Sequence, residues 1–270
     1  MFMRGKCLVV HPLGGFGNRM LAIFSGIREL ALSRYDAIII KWDIDSNCNI
    51  NVLDVFTFRN DIIIDTTDKY KITNIGGYNQ IIESGWYDYI RTSTLFDSHV
   101  PVDVEYIVGW LKANLHDHLI FKLVRPDKET IGIHCRRGDW GRADNNCREV
   151  INLEDIQYNH LLLDLAFFEY IKKYEDTTIF ISTDSASTLA FFRHQFKDRL
   201  FYNKKVEYSY TTTKSPRSMI EAIEDLTSLA ACKLIIRDSH STFSLVASIL
   251  GCKPLDSWDR PVLIYSGSGL

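Results

Sequence analysis

Two adjacent arginines and a carboxylate follow an apolar run directly in Ile131-Gly132-Ile133-His134-Cys135-Arg136-Arg137-Gly138-Asp139. Ile131 and Ile133 share one face of a predicted strand, and the chain turns polar immediately after it. Adjacent guanidinium groups repel each other and are costly to bury. Such a pair calls for an anion between the forks or for several acidic partners. A diphosphate would neutralise the charge and accept paired hydrogen bonds. A solvated pair bridging to nearby carboxylates is the structural reading of the same residues.

Two further loops carry similar chemistry. In 13-LGGFGNRM-20, Gly14, Gly15 and Gly17 allow a tight turn and close approach to a ligand, and the helix that follows offers unpaired N–H groups. Met20 stands where a dinucleotide fingerprint needs its third glycine, so NAD or FAD is a poor match. Asn18 and Arg19 form a polar pair at the helix start that can reach into a ligand cleft, which makes Arg19 a further candidate binding residue. Near the C-terminus, 237-RDSHSTFSLVASILG-251 gathers Ser241, Thr242 and Ser244 at the start of a helix. One hydroxyl can cap that helix. The cluster also presents hydroxyls beside backbone N–H groups, which is how a helix start holds a phosphate. Phe243 is either a core residue or the border of a base. Asp184 ends a predicted strand and either faces a ligand or caps the helix over 185–194.

The elements that must position these loops alternate. A strand over 6–11 and another over 37–42 flank a helical pattern from Asn18 to Ser33, which is a βαβ unit. Short strands are predicted at 61–65 and 79–84, and a helix over Val104 to Leu115. The stretch 123-LVRPDKET-130, with Pro126 and its charges, breaks the pattern. Alternation resumes with strands at 130–135, 177–183, 199–203 and 233–237 and helices over 158–174, 185–194, 218–231 and after Ser241. We therefore expect an α/β protein of two domains, 1–125 and 126–270, each a Rossmann-like parallel sheet. Their strand ends would face one cleft, where ligands of open α/β sheets bind.

Composition narrows the classes. Thirty-one basic and 34 acidic side chains leave a net charge of −3, which argues against a general nucleic-acid binder. No run is long enough to span a bilayer, and the opening MFMRGKCLVV is too quickly polar for a signal peptide. The six cysteines are scattered without a C-x-x-C pair. Together these features predict a cytoplasmic protein without disulfides or structural zinc.

Taken in order, Gly-Gly-x-Gly-Asn-Arg, His-x-Arg-Arg-x-Asp, Ser-Thr-Asp and Ser-Thr-Phe-Ser resemble the fucosyltransferase superfamily of GT-B fold, which includes α1,2-, α1,6- and protein O-fucosyltransferases. The run 225-DLTSLAACKLIIRDSHSTFS-244 is similar in spacing to the α1,2 branch. The resemblance implies an inverting transferase that uses GDP-fucose as donor and a glycan hydroxyl as acceptor, with no metal and no further cofactor. It implies that Arg136 and Arg137 face the diphosphate and that His134 and Asp139 order their loop. By the same likeness Asp184 lies near the guanosine, and Ser241, Thr242 and Phe243 close on the nucleotide. Gly15, Gly17 and Asn18 match the loop facing donor and acceptor. Arg19 departs from the glutamine usual in the α1,2 enzymes, and Leu245 and Val246 replace two tryptophans. The donor sugar stays open among fucose, rhamnose and xylose.

Transfer from a nucleoside diphosphate builds negative charge on the departing diphosphate, which fixed cationic donors or a divalent cation must stabilise. The acceptor hydroxyl must also lose a proton. The α1,6 relatives carry a carboxylate shortly after the arginines, and Asp144 falls at a comparable distance, with Asp139 and Glu149 as rivals. A different enzyme reading rests on Asp43-Ile44-Asp45, a D-x-D able to hold a metal with diphosphate oxygens or to form an ordinary polar turn. A sugar-nucleotide-binding module without turnover is the non-enzymatic reading.

Overall fold

The computed structural model describes residues 6–66, 80–83, 87–97, 102–121, 129–137, 153–205, 216–238 and 241–258. Its first half runs β1 (Cys7–Pro12), α1 (Phe16–Ala31), β2 (Ala37–Lys41), β3 (Phe56–Phe58), β4 (Ile62–Asp65), β5 (Gln80–Glu83), β6 (Tyr87–Thr92), α2 (Val104–Asn114) and β7 (Leu119–Phe121). Its second half runs β8 (Ile131–Cys135), α3 (Leu153–Ile171), β9 (Ile179–Thr183), α4 (Ala186–Phe196), β10 (Leu200–Phe201), α5 (Pro216–Ala231), β11 (Leu234–Arg237), α6 (Thr242–Gly251) and β12 (Leu255–Ser257).

These strands make two five-stranded sheets, ordered β4-β2-β1-β6-β5 and β10-β9-β8-β11-β12, while β3 and β7 pair separately. All ladders of the second sheet are parallel. In the first sheet β5 runs antiparallel to β6, so the expectation of a purely parallel sheet is corrected at that edge. The strand β6 went unpredicted because 87-YDYIRT-92 mixes aromatic and charged residues; it is an interior strand between β1 and β5. The domain boundary expected near Pro126 lies outside the described residues.

Both sheets obey the strand period. In the second, Ile131, Ile133, Ile179, Ile181 and Ile236 face Phe167, Phe192 and Phe196 of α3 and α4. Their alternates Phe180 and Ile235 join Leu226 and Leu229 of α5 and Val246, Ile249 and Leu250 of α6. That second cluster is continuous with Leu8, Val10, Met20, Phe24 and Ile27, so α1, α5 and α6 share one apolar core across the two sheets. The sequence of β1 explains its central place. Its six residues are all buried, as a strand covered on both faces requires.

Candidate functional site

In both sheets the strand order reverses at the first strand: between β1 and β6, and between β8 and β11. Such a switch point leaves a crevice at the carboxyl ends of its strands. The Arg-Arg loop leaves β8 there, and the serine-rich loop leaves β11 beside it.

Arg137 does not present its fork to that crevice. Its side chain is fully buried, with Nε and one Nη bound to Asp164 of α3 at 3.0 and 2.8 Å and the other Nη to Asp238 at 2.9 Å. Asp164 also accepts from the Thr188 hydroxyl on α4, and Asp238 accepts from Trp258 Nε1 and the Arg136 backbone N–H, all at 2.8 Å. The Arg137 N–H donates to Asp184 at 2.7 Å. The expectation that Arg137 clamps a diphosphate is corrected accordingly: two buried carboxylates already occupy the fork. Arg136 is half-buried at the same strand end. Asp184 is half-buried and orders this loop, whereas the helix cap of α4 is Ser185, whose hydroxyl accepts from Thr188 N–H.

His134 is buried, its ring 5.2 Å from that of Phe243, and its Nδ1 finds no hydrogen-bond partner among the described residues. Burial, reinforced by Arg136, Lys205, Arg237 and Arg137, pushes its pKa well below the ordinary 6.5 and keeps the ring neutral. Ser241 stands at the N-cap of α6, but its hydroxyl caps nothing and is buried without a hydrogen-bond partner among the described residues. Arg237 Nη donates to the Ser241 carbonyl at 2.6 Å and fixes the turn. The first N–H groups of α6 are thus left without a side-chain cap.

The glycine loop meets this helix start directly. A Cβ on Gly17 would lie 2.9 Å from the Phe243 backbone nitrogen and 3.0 Å from Thr242 Oγ1. Gly17 therefore serves contact between α1 and α6, not the approach of a ligand as expected. Thr242 Oγ1 donates to Asn18 Oδ1 at 2.6 Å across the same contact. Gly14 takes a φ of +80°, a conformation that favours glycine, and Gly15 is an N-cap without a capping side chain. Hence α1 and α6 start side by side, both uncapped, whereas α2 and α4 carry Asp103 and Ser185 as caps.

Arg19 was expected to reach into the cleft. It is buried instead, donating to the Gly14 carbonyl at 2.7 Å, to the Asp43 carbonyl and to Asp45 Oδ2 at 2.5 Å, with its guanidinium 5.2 Å from the Trp42 ring. Asp45 Oδ1 in turn accepts from the N–H groups of Asn47 and Cys48. The D-x-D is a braced turn, and its Asp45 is taken up by Arg19. Asp139, Asp144 and Glu149 lie outside the described residues. Sequence reasoning missed Asp164 and Asp238. Asp238 stands within the serine-rich loop and could have been matched to the arginines; Asp164, mid-helix, carries no such signal. His11 and Tyr89, hydrogen-bonded at 2.6 Å, were also missed.

No family model and no curated protein sequence matches this chain. Solved structures match it in fold. The fucosyltransferase NodZ from Bradyrhizobium is 15% identical at a TM-score of 0.57, over 96% of this chain and 97% of that one. A mutant of Arabidopsis thaliana FUT1 in complex with GDP is 11% identical at a TM-score of 0.52, over 97% and 72%. POFUT1 in complex with GDP-fucose is 10% identical at 0.50, over 95% and 99%. The chain has the two-sheet, GT-B-like α/β fold of these fucosyltransferases along nearly its whole length.

Proposed function

We propose that this chain is an inverting, metal-independent glycosyltransferase that moves L-fucose from GDP-fucose to a glycan hydroxyl. Residues 126–270 would hold the donor and residues 1–125 the acceptor. The observation that carries this reading is the pair of uncapped helix starts, α1 and α6, packed together beside the Ser241 hydroxyl, which is buried without a partner among the described residues. Two positive helix ends side by side are unfavourable until an anion neutralises them. A diphosphate fits that demand, with Arg136 at the edge of the same switch point. The fold of the GDP- and GDP-fucose-bound neighbours supports the choice of nucleotide.

The chemistry follows from charge. As the sugar C1–O bond breaks, negative charge grows on the β-phosphate. The α6 N–H groups, the Ser241 hydroxyl and the Arg136 guanidinium would meet it without reorganising. His134, kept neutral, would offer a hydrogen bond without competing as a cation, and Phe243 would border the nucleotide. Arg137 would act behind them, holding Arg136 and Asp184 in place.

Calorimetry tests the reading. GDP should bind more tightly than UDP, with binding unchanged by EDTA, and GDP-fucose should outrank GDP-linked rhamnose and UDP-xylose. Tighter UDP binding that requires Mn²⁺ would transfer the claim to Asp43 and Asp45.

A further inference from the structure

The first sheet carries a polar chain that the donor site does not use. His11 lies near the end of β1, and its Nδ1 is 2.6 Å from the Tyr89 hydroxyl on β6, across the first sheet's switch point. Its Nε2 is 2.6 Å from Asp43 Oδ2, just beyond the end of β2. The His11 side chain is 9% exposed and that of Asp43 47%. Burial, with Lys41 and Arg91 nearby, lowers the His11 pKa despite the pull of Asp43, so the ring is neutral. A neutral imidazole has one donor and one acceptor, and an ionised carboxylate only accepts. Nε2 therefore carries the proton toward Asp43, and Nδ1 accepts from the Tyr89 hydroxyl.

The direction of that chain matters. It fixes Asp43 Oδ2 from behind, while Oδ1 has no hydrogen bond to a described residue. Asp45, two positions on, has both oxygens engaged by Arg19, Asn47 and Cys48. Arg19 also binds the Asp43 carbonyl and the Gly14 carbonyl, and Gly14 lies against Asn18, which bridges to Thr242 at the α6 start. Asp43 is thus tied through one side chain to the loop where the two sheets meet.

We infer that Asp43 is the proton acceptor for the attacking hydroxyl, positioned by His11 and Tyr89. The inference rests on the donor-site reading above. In the step, the C1–O bond to the β-phosphate breaks and its electron pair leaves with GDP. The acceptor oxygen forms the new bond to C1, and its proton passes to Asp43 Oδ1. Water in the acceptor position would react in the same way and release free fucose.

GDP release from GDP-fucose, in water alone and with added azide, tests this. Azide needs no deprotonation to attack C1. Asp43→Asn keeps the hydrogen bond from His11 but removes the base. It should slow hydrolysis by about a hundredfold or more, while the azide reaction and GDP affinity stay near the parent's. His11→Leu should slow hydrolysis selectively, and His11→Gln, able to donate to Asp43 and accept from Tyr89, should restore much of it. Asp43→Asn hydrolysing at the parental rate, or losing both reactions equally, would overturn the assignment. A parent that neither binds nor cleaves GDP-fucose removes the donor reading first, and the base with it.

Discussion

The carboxyl edges of the two sheets are built alike and end in opposite electrostatic states. Each holds a buried arginine, Arg19 in the first and Arg137 in the second, that ties a loop to its neighbours through carboxylate and carbonyl oxygens. At the second edge what remains after this pairing, among the described residues, is donor capacity: the helix N–H groups and the Ser241 hydroxyl. At the first edge what remains is acceptor capacity, the outer oxygen of Asp43. The comparison teaches that, at these edges, arginine burial marks the scaffold. The groups we propose to act in transfer stand beside that scaffold.

The largest expected effect separates the two adjacent arginines. Arg137→Met removes the counter-charge from buried Asp164 and Asp238, and breaking such a pair costs about 3–5 kcal/mol. Urea unfolding should show that loss. Arg136→Lys keeps the charge but loses the planar fork, so turnover of GDP-fucose should fall by about a hundredfold, with stability within about 1 kcal/mol of the parent. Comparable unfolding midpoints for the parent and Arg137→Met would break the division of labour between them.

A smaller effect is expected where the edges touch. Gly17→Ala pushes a methyl group against the Phe243 backbone at 2.9 Å, and backbone cannot swing aside as a long side chain can. Overpacking of this kind costs about 1–3 kcal/mol. The loss should appear in thermal unfolding and be accompanied by weaker GDP binding, because the α6 start must shift. Unfolding without any change in affinity would separate the helix contact from the nucleotide site.

Much of this was legible in the sequence, for stated physical reasons. The apolar runs of β1, β8 and β9 and the 3.6-residue spacing of α1 mark their elements, since buried strands and amphipathic helices leave those patterns. The Arg-Arg, glycine and serine-rich loops do fall at strand ends and helix starts. Which arginine faces inward could not be read, because the answer lies in Asp164, 27 positions away on α3. The glycine loop was misjudged for a similar reason. Gly17 answers to Phe243, more than two hundred residues distant, not to a ligand. Strand β6 stayed hidden because Asp88 and Arg91 disguise it; the Asp88 carboxylate is buried against the Tyr35 hydroxyl and the Lys6 ammonium, partners far away in sequence.

The smallest prediction sharpens the contact between the edges. The Thr242 hydroxyl donates to Asn18 Oδ1 at 2.6 Å, the side-chain hydrogen bond linking the glycine loop to the α6 start. Thr242→Val preserves shape and removes the donor, leaving a part-buried amide oxygen short of one partner. A neutral hydrogen bond of this kind contributes about 0.5–1.5 kcal/mol net. Asn18→Ala should lose a similar amount. Because both changes delete one interaction, the double variant should be less destabilised than the sum of the singles. If the bond also holds the helix starts together for the anion, the coupling should grow when GDP is bound. A cycle measured with and without saturating GDP distinguishes the two cases: equal coupling makes the bond a fastener only, and larger coupling with GDP makes it part of the nucleotide site.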